Sequence, residues 1–105
     1  MPQNATAAHA SQAAYANAVI SLKDPKSGMR FYVESNGRRL VAFDEDAAVV
    51  WSTDVLAEVK IKLTPGTSLI RHLRVEGHVL WVTCGKSDTL RIHMKTGKTE
   101  YVGAD

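Results

Sequence analysis

The chain contains a second version of itself. Residues 31–51, FYVESNGRRLVAFDEDAAVVW, align with residues 80–101, LWVTCGKSDTLRIHMKTGKTEY, with a one-residue gap. Leu40 stands 50 positions before Leu90. Phe31 matches Leu80, Tyr32 matches Trp81, Val33 matches Val82, and residues 41–51 fall on 91–101. Upstream, Val19-Ile20-Ser21-Leu22 falls on Leu69-Ile70-Arg71-His72. A period near 50 residues indicates one supersecondary unit used twice. At 105 residues the chain has room for a single domain with one core.

The unit reads as β structure. Asn36-Gly37 between two alternating runs predicts a hairpin with a type I′ turn, which needs two residues at positive φ. A two-residue loop fixes the register: Ser35 faces Arg38, Glu34 faces Arg39, Val33 faces Leu40, Tyr32 faces Val41, Phe31 faces Ala42 and Arg30 faces Phe43. One side is then wholly apolar, formed by Phe31, Val33, Leu40 and Ala42. The other carries an opposed Glu34–Arg39 pair and an Arg30–Phe43 pair suited to a cation–π contact. A slip of one residue would scramble both sides. Transferred to the second copy, the register sets Val82 opposite Leu90, Leu80 opposite Ile92, Trp81 opposite Arg91 and Thr83 opposite Thr89. The hairpin loop there is Gly85-Lys86-Ser87-Asp88. A further turn and strand follow each hairpin, Asp44-Glu45-Asp46-Ala47 leading to 49–51 and Lys95-Thr96-Gly97-Lys98 leading to 99–102.

The remaining boundaries follow from punctuation. Residues 1–17 read as a mobile Ala-rich tail, because Ala favours helix but no apolar stripe beyond Tyr15 and Val19 ties the segment down. A single β domain is expected over residues 18–105. Within it, repeat 1 covers about 19–53, a linker or strand 54–68, and repeat 2 about 69–103. Residues 54–63, DVLAEVKIKL, start at a candidate helix cap, Thr53 or Asp54, and end in strict alternation. Residues 68–75, SLIRHLRV, fit a helix nearly as well as a strand; both segments are assigned as strands, with helix the open alternative for each. Thr64-Pro65-Gly66-Thr67 breaks the chain between the copies.

The repeat resembles the blade of pyrroloquinoline-quinone-type β-propellers. In that family an apolar strand, a Gly turn, an "L-x-A-x-D" strand, a turn and a Trp recur. Here Tyr32-Val33, Gly37, Leu40, Ala42, Asp44 and Trp51 stand at those places. The second copy keeps Trp81-Val82, Leu90 and Thr96-Gly97, with Ile92, Met94 and Tyr101 in place of Ala, Asp and Trp. The resemblance spans about residues 19–102 and implies packing, since the family's Trp and Gly hold blade to blade. Quinoprotein propellers draw cofactor and calcium ligands from many blades, so no cofactor or metal is expected from two. Lipoprotein scaffolds with this repeat carry a lipid-acceptor Cys, which does not stand near this N-terminus. The chain's make-up also resembles small bacterial proteins. A ring needs at least about four blades. The expected fold is therefore all-β: an antiparallel meander of two blade-like β-units, packed as a small sandwich or barrel or assembling into a propeller-like oligomer.

Charge and single residues narrow the function classes. Residues 60–98 carry eight Lys/Arg against two Asp/Glu, while residues 1–59 carry five against seven. With Trp81 nearby, Arg71, Arg74, Lys86, Arg91, Lys95 and Lys98 make a nucleic-acid-binding β domain one reading, since single strands are held by basic, aromatic sheets. Cys84 is the only cysteine, so no intrachain disulfide forms. A Cys84-dependent enzyme would need a base among His72, His78 and His93 and a lowered thiol pKa. No phosphate-binding Gly loop or zinc-ligand spacing is present. The acidic turn Asp44-Glu45-Asp46 reads as solvated. No stretch suits a membrane span and no secretory signal is evident, so a cytoplasmic, soluble protein is expected. The preferred reading is a non-catalytic protein-interaction or scaffold module whose partner is another protein or a second copy. Tyr32, Trp51, Trp81 and Arg91 are its candidate contact residues, because aromatics and Arg dominate binding hot spots.

Overall fold

The computed structural model describes residues 18, 20–59, 69–86 and 88–104. Eight strands and one short helix follow in order: β1 (Ser21–Lys23), β2 (Arg30–Val33), β3 (Arg39–Phe43), β4 (Val49–Asp54), α1 (Val55–Val59), β5 (Ile70–Glu76), β6 (Val79–Cys84), β7 (Asp88–His93) and β8 (Thr99–Ala104). They form two four-stranded antiparallel sheets, β1-β2-β3-β4 and β5-β6-β7-β8, each an up-and-down meander in chain order. The tail over residues 1–17 and the break at 64–67 lie outside the described residues.

Both hairpins adopt the register that alternation dictates. In the first, Arg30 pairs with Phe43, Phe31 with Ala42, Tyr32 with Val41 and Val33 with Leu40. In the second, Leu80 pairs with Ile92, Trp81 with Arg91, Val82 with Leu90 and Thr83 with Thr89. The Glu34–Arg39 pair forms an ion pair at 3.9 Å. The first turn differs from the type I′ expectation. Gly37 is left-handed at φ 73°, but Asn36 is not. Asn36 instead accepts the amides of Arg38 and Arg39 on Oδ1 at 2.9 and 3.1 Å. Glu34 O accepts the amide of Gly37 and Glu34 N–H donates to Arg39 O, both at 2.9 Å. This is a longer loop with glycine at its left-handed position, and it preserves the pairing because it adds one residue on each side.

Residues 55–59 form a helix, which corrects their assignment as strand. Asp54 Oδ1 caps it, accepting the amide of Ala57 at 3.1 Å. Val55 and Leu56 are buried, and Val59 packs partly against the same core. That is helical spacing, and the alternation that suggested a strand begins only at Val59. Residues 60–68 lie outside the described residues. Residues 70–76 are the strand that the repeat predicts.

The sheets pack face to face. Phe31, Val33, Leu40 and Ala42 of the first and Leu80, Val82, Leu90 and Ile92 of the second belong to one core cluster. These are corresponding positions of the repeat, so the two units present the same face to each other, as the subunits of an isologous pair do. Trp51 crosses between them: its indole Nε1–H donates to Met94 O at 2.7 Å, and its ring lies 6.0 Å from that of Phe31. At the hairpin end, Ile70 N–H donates to Gly37 O at 2.8 Å.

The turn after each central hairpin contains a left-handed residue at the same place in the repeat, Ala47 at φ 67° and Gly97 at φ 79°. Left-handed backbone is strained for alanine and free for glycine. Ala47→Gly is therefore expected to stabilise the protein by about 0.5–1 kcal/mol, once the added backbone entropy of glycine is subtracted. Urea denaturation reads it directly, and a lower midpoint would mean that the turn is unstrained in solution.

Candidate interaction surface

The four candidate contact residues occupy three different settings. Trp51 is 9% exposed and lies between the sheets. Tyr32 sits partly exposed on the outer face of the first sheet, with its ring 5.7 Å from that of Phe43 in an edge-on arrangement. Trp81 and Arg91 are neighbours on the outer face of the second sheet. Only this last pair forms a surface cluster.

Strand pairing builds that cluster into a row. Arg74 on β5 pairs with Trp81 on β6, Trp81 with Arg91 on β7, and Arg91 with Glu100 on β8. The Arg74 guanidinium lies 5.8 Å from the centre of the Trp81 ring, within cation–π range. Arg74 also meets Glu76 at 2.9 Å, and Arg91 meets Glu100 at 2.8 Å. The hydrogen bond from Arg91 holds the Glu100 carboxyl below its usual pKa. His72 pairs with Thr83, and Val79 with His93, in the rows on either side. The indole Nε1–H of Trp81 is buried without an acceptor among the described residues. The flanking role of Arg74 was hidden because β5 was ambiguous as a strand; once 70–76 is a strand, pairing alone places it opposite Trp81.

The last strand of each sheet adds apolar surface that single-residue reasoning passed over. Val49 and Val50 on β4 and Tyr101 and Val102 on β8 are all exposed. Register steps between Ala42 and Phe43 and between Thr89 and Leu90 leave Val50 and Val102 as the extra residues of bulges. Tyr101 donates its hydroxyl to Asp88 Oδ1 at 3.0 Å, which raises its pKa.

The described basic residues of the second repeat do not gather into one groove. Arg71 caps the β6–β7 loop by donating to the carbonyls of Gly85 and Lys86. Arg74 and Arg91 are ion-paired. Lys86 lies in the loop before β7, whereas Lys95 and Lys98 lie in the turn after it, at the opposite end of the strand.

Cys84 points into the core and is fully buried. Burial, and secondarily the charge of Asp88, push its thiol up to about 11. His72 lies on the outer face, paired with Thr83. His78 and His93 belong to the far end of β6, about five residues or 17 Å along the strand. Cys84 is therefore a protonated core residue at neutral pH. It is expected to react with thiol reagents in the native protein far more slowly than in urea. Because the unfolded thiol ionises near 9 and the folded one only near 11, the stability it contributes is intact below pH 9 and lost as pH rises through that window. Fast labelling of the native chain at pH 7 would contradict this burial.

Among the described residues, no three His, Cys, Asp or Glu side chains are grouped to hold a metal ion. No described helix is long and apolar enough to cross a membrane. The chain matches no family model, no curated protein and no solved structure.

Proposed function

We propose that the protein is a non-catalytic interaction module that binds another protein through the outer face of its second sheet. The observation that carries this reading is the row Arg74–Trp81–Arg91–Glu100, an aromatic side chain held between two arginines whose own charges are already compensated. Such pre-ordered Trp and Arg side chains lose little freedom on binding, which is why they recur in hot spots. The row ends on the edge strand β8 at Glu100, whereas Tyr101, paired with the core residue Leu90, stands on the other side of that strand.

The resemblance to propeller blades is best understood as shared strand and turn chemistry. Blades of a ring succeed one another by rotation about a common axis, so each offers one face backward and the opposite face forward. Here corresponding faces meet, which favours a closed sandwich over a segment of a ring. For association of copies, the polar row around Trp81 and the edge strands β1, β4, β5 and β8 are the surfaces that the described residues offer. The nucleic-acid reading is less favoured, because Arg74 and Arg91 are paired and the lysines are divided between two ends of the sheet.

The test uses partners cross-linked to the purified protein and then titrated individually. Trp81→Ala and Arg91→Ala are expected to weaken a genuine partner by tenfold or more while Thr83→Ala does not, with little dependence on salt, since hot-spot truncations typically cost about 2 kcal/mol. A ligand that binds both variants normally lies elsewhere on the molecule. Binding confined to single-stranded nucleic acid, falling steeply with salt, would replace this reading with the other. Absolute mass by light scattering reports whether the partner is a second copy.

A further inference from the structure

Val41 and Phe43 are enclosed on the side of their sheet that faces away from the core. Their strand neighbours Leu40 and Ala42 point to the second sheet, so these two point outward. Yet Val41 is 2% exposed and Phe43 0%, and neither belongs to the core cluster. At the corresponding positions of the second sheet, Arg91 and His93 are exposed, as outward residues of a sandwich should be. The described elements are accounted for elsewhere: the second sheet and α1 both join the core on the opposite side. Tyr32, Glu34 and Phe43 each engage a partner in addition to the contacts given above.

We infer that this face is a docking surface for the chain's own N-terminal segment, residues 1–17. The segment leads directly into β1, the strand that borders this sheet. None of residues 1–22 is Asp, Glu, Lys or Arg, so the segment can lie on Val41 and Phe43 without desolvating a charge. Its many alanines permit close approach, and Tyr15 supplies an aromatic anchor for the Tyr32–Phe43 pair. A second copy would serve less well, because the first sheet would then have to stand uncovered in the monomer. The surface proposed for partners is on the other sheet and stands or falls separately.

The test is made on the full chain. Nuclear Overhauser contacts are expected between the ring protons of Tyr15 and those of Tyr32 or Phe43. Tyr15→Ser is expected to lower the unfolding temperature by about 4 °C or more, and Phe43→Leu to cost less in that background than alone, since contacting residues are non-additive. An unchanged midpoint with no such contacts overturns the inference. So do contacts that appear only between differently labelled chains in a mixed sample, which would make a second copy the occupant. If a variant fails to fold, the contacts in the unaltered protein decide.

Discussion

Trp51→Ala is expected to cost about 3–5 kcal/mol, the usual range for removing a large buried aromatic, and to bring the protein close to unfolding at physiological temperature. The side chain is 9% exposed, packs on Phe31 and donates to Met94 O, so its loss removes contacts on both sheets and leaves a buried carbonyl without a partner. Trp51→Phe separates the two effects. It keeps most of the apolar contact and loses the hydrogen bond, at an expected cost of about 1–3 kcal/mol. Denaturant unfolding measures both. A cost below about 1 kcal/mol for the alanine variant would mean that the sheets hold together without this residue.

Gly97→Ala follows from the same contact seen from the other side. A Cβ at Gly97 would lie 2.9 Å from the indole ring of Trp51, on a residue whose φ is 79°. Left-handed strain contributes about 1–2 kcal/mol and the collision a similar amount, so an overall loss of about 2–4 kcal/mol is expected. The two causes separate in a double variant. With Trp51 truncated the ring collision is removed, a tight 3.2 Å approach to the residue-51 Cβ is left and the strain remains, so Gly97→Ala should cost roughly half as much in the Trp51→Ala background. Strict additivity would place the whole effect in the backbone.

Pairing was legible in the sequence because period-2 alternation tolerates no slip: from Val33–Leu40 outward in the first hairpin, and from Thr83–Thr89 outward in the second, each residue faces the partner that the pattern assigns. The all-β class and the two meanders followed from the same signal. What stayed hidden depends on contacts between distant residues. The helix at 55–59 looks like a strand until Val55 and Leu56 are seen to share a core with Leu80 and Leu90. The conformation of the Asn36 turn is set by a side-chain oxygen that gathers two amides, a choice that dipeptide preference does not capture. The bulges shift β8 against β4, so Tyr101 stands opposite Leu90 whereas Trp51 stands opposite Ala42. Sequence alignment matched these two aromatics, but the structure gives them unlike roles. Of the candidate contacts, Trp81 and Arg91 could be paired from sequence. The enclosure of Trp51 became visible only with the second sheet in place.

The meeting of like faces has a consequence for origins and for engineering. A surface complementary to its own duplicate is the kind of surface by which a half-length chain recognises itself, so the fold is readily reached by fusing two copies of a self-pairing peptide. Self-pairing of that kind would set two aromatic latches, one from each half. Here one is closed, Trp51 over Gly97. The other is not formed: its aromatic, Tyr101, is 45% exposed, and Ala47, which holds the place of Gly97 in the first repeat, is exposed as well. Fusion makes that loss tolerable, because a tether holds the halves together whatever the second latch does. It also releases one flank of the molecule, Tyr101 and the β8 edge with it, from the requirement to fit its own duplicate.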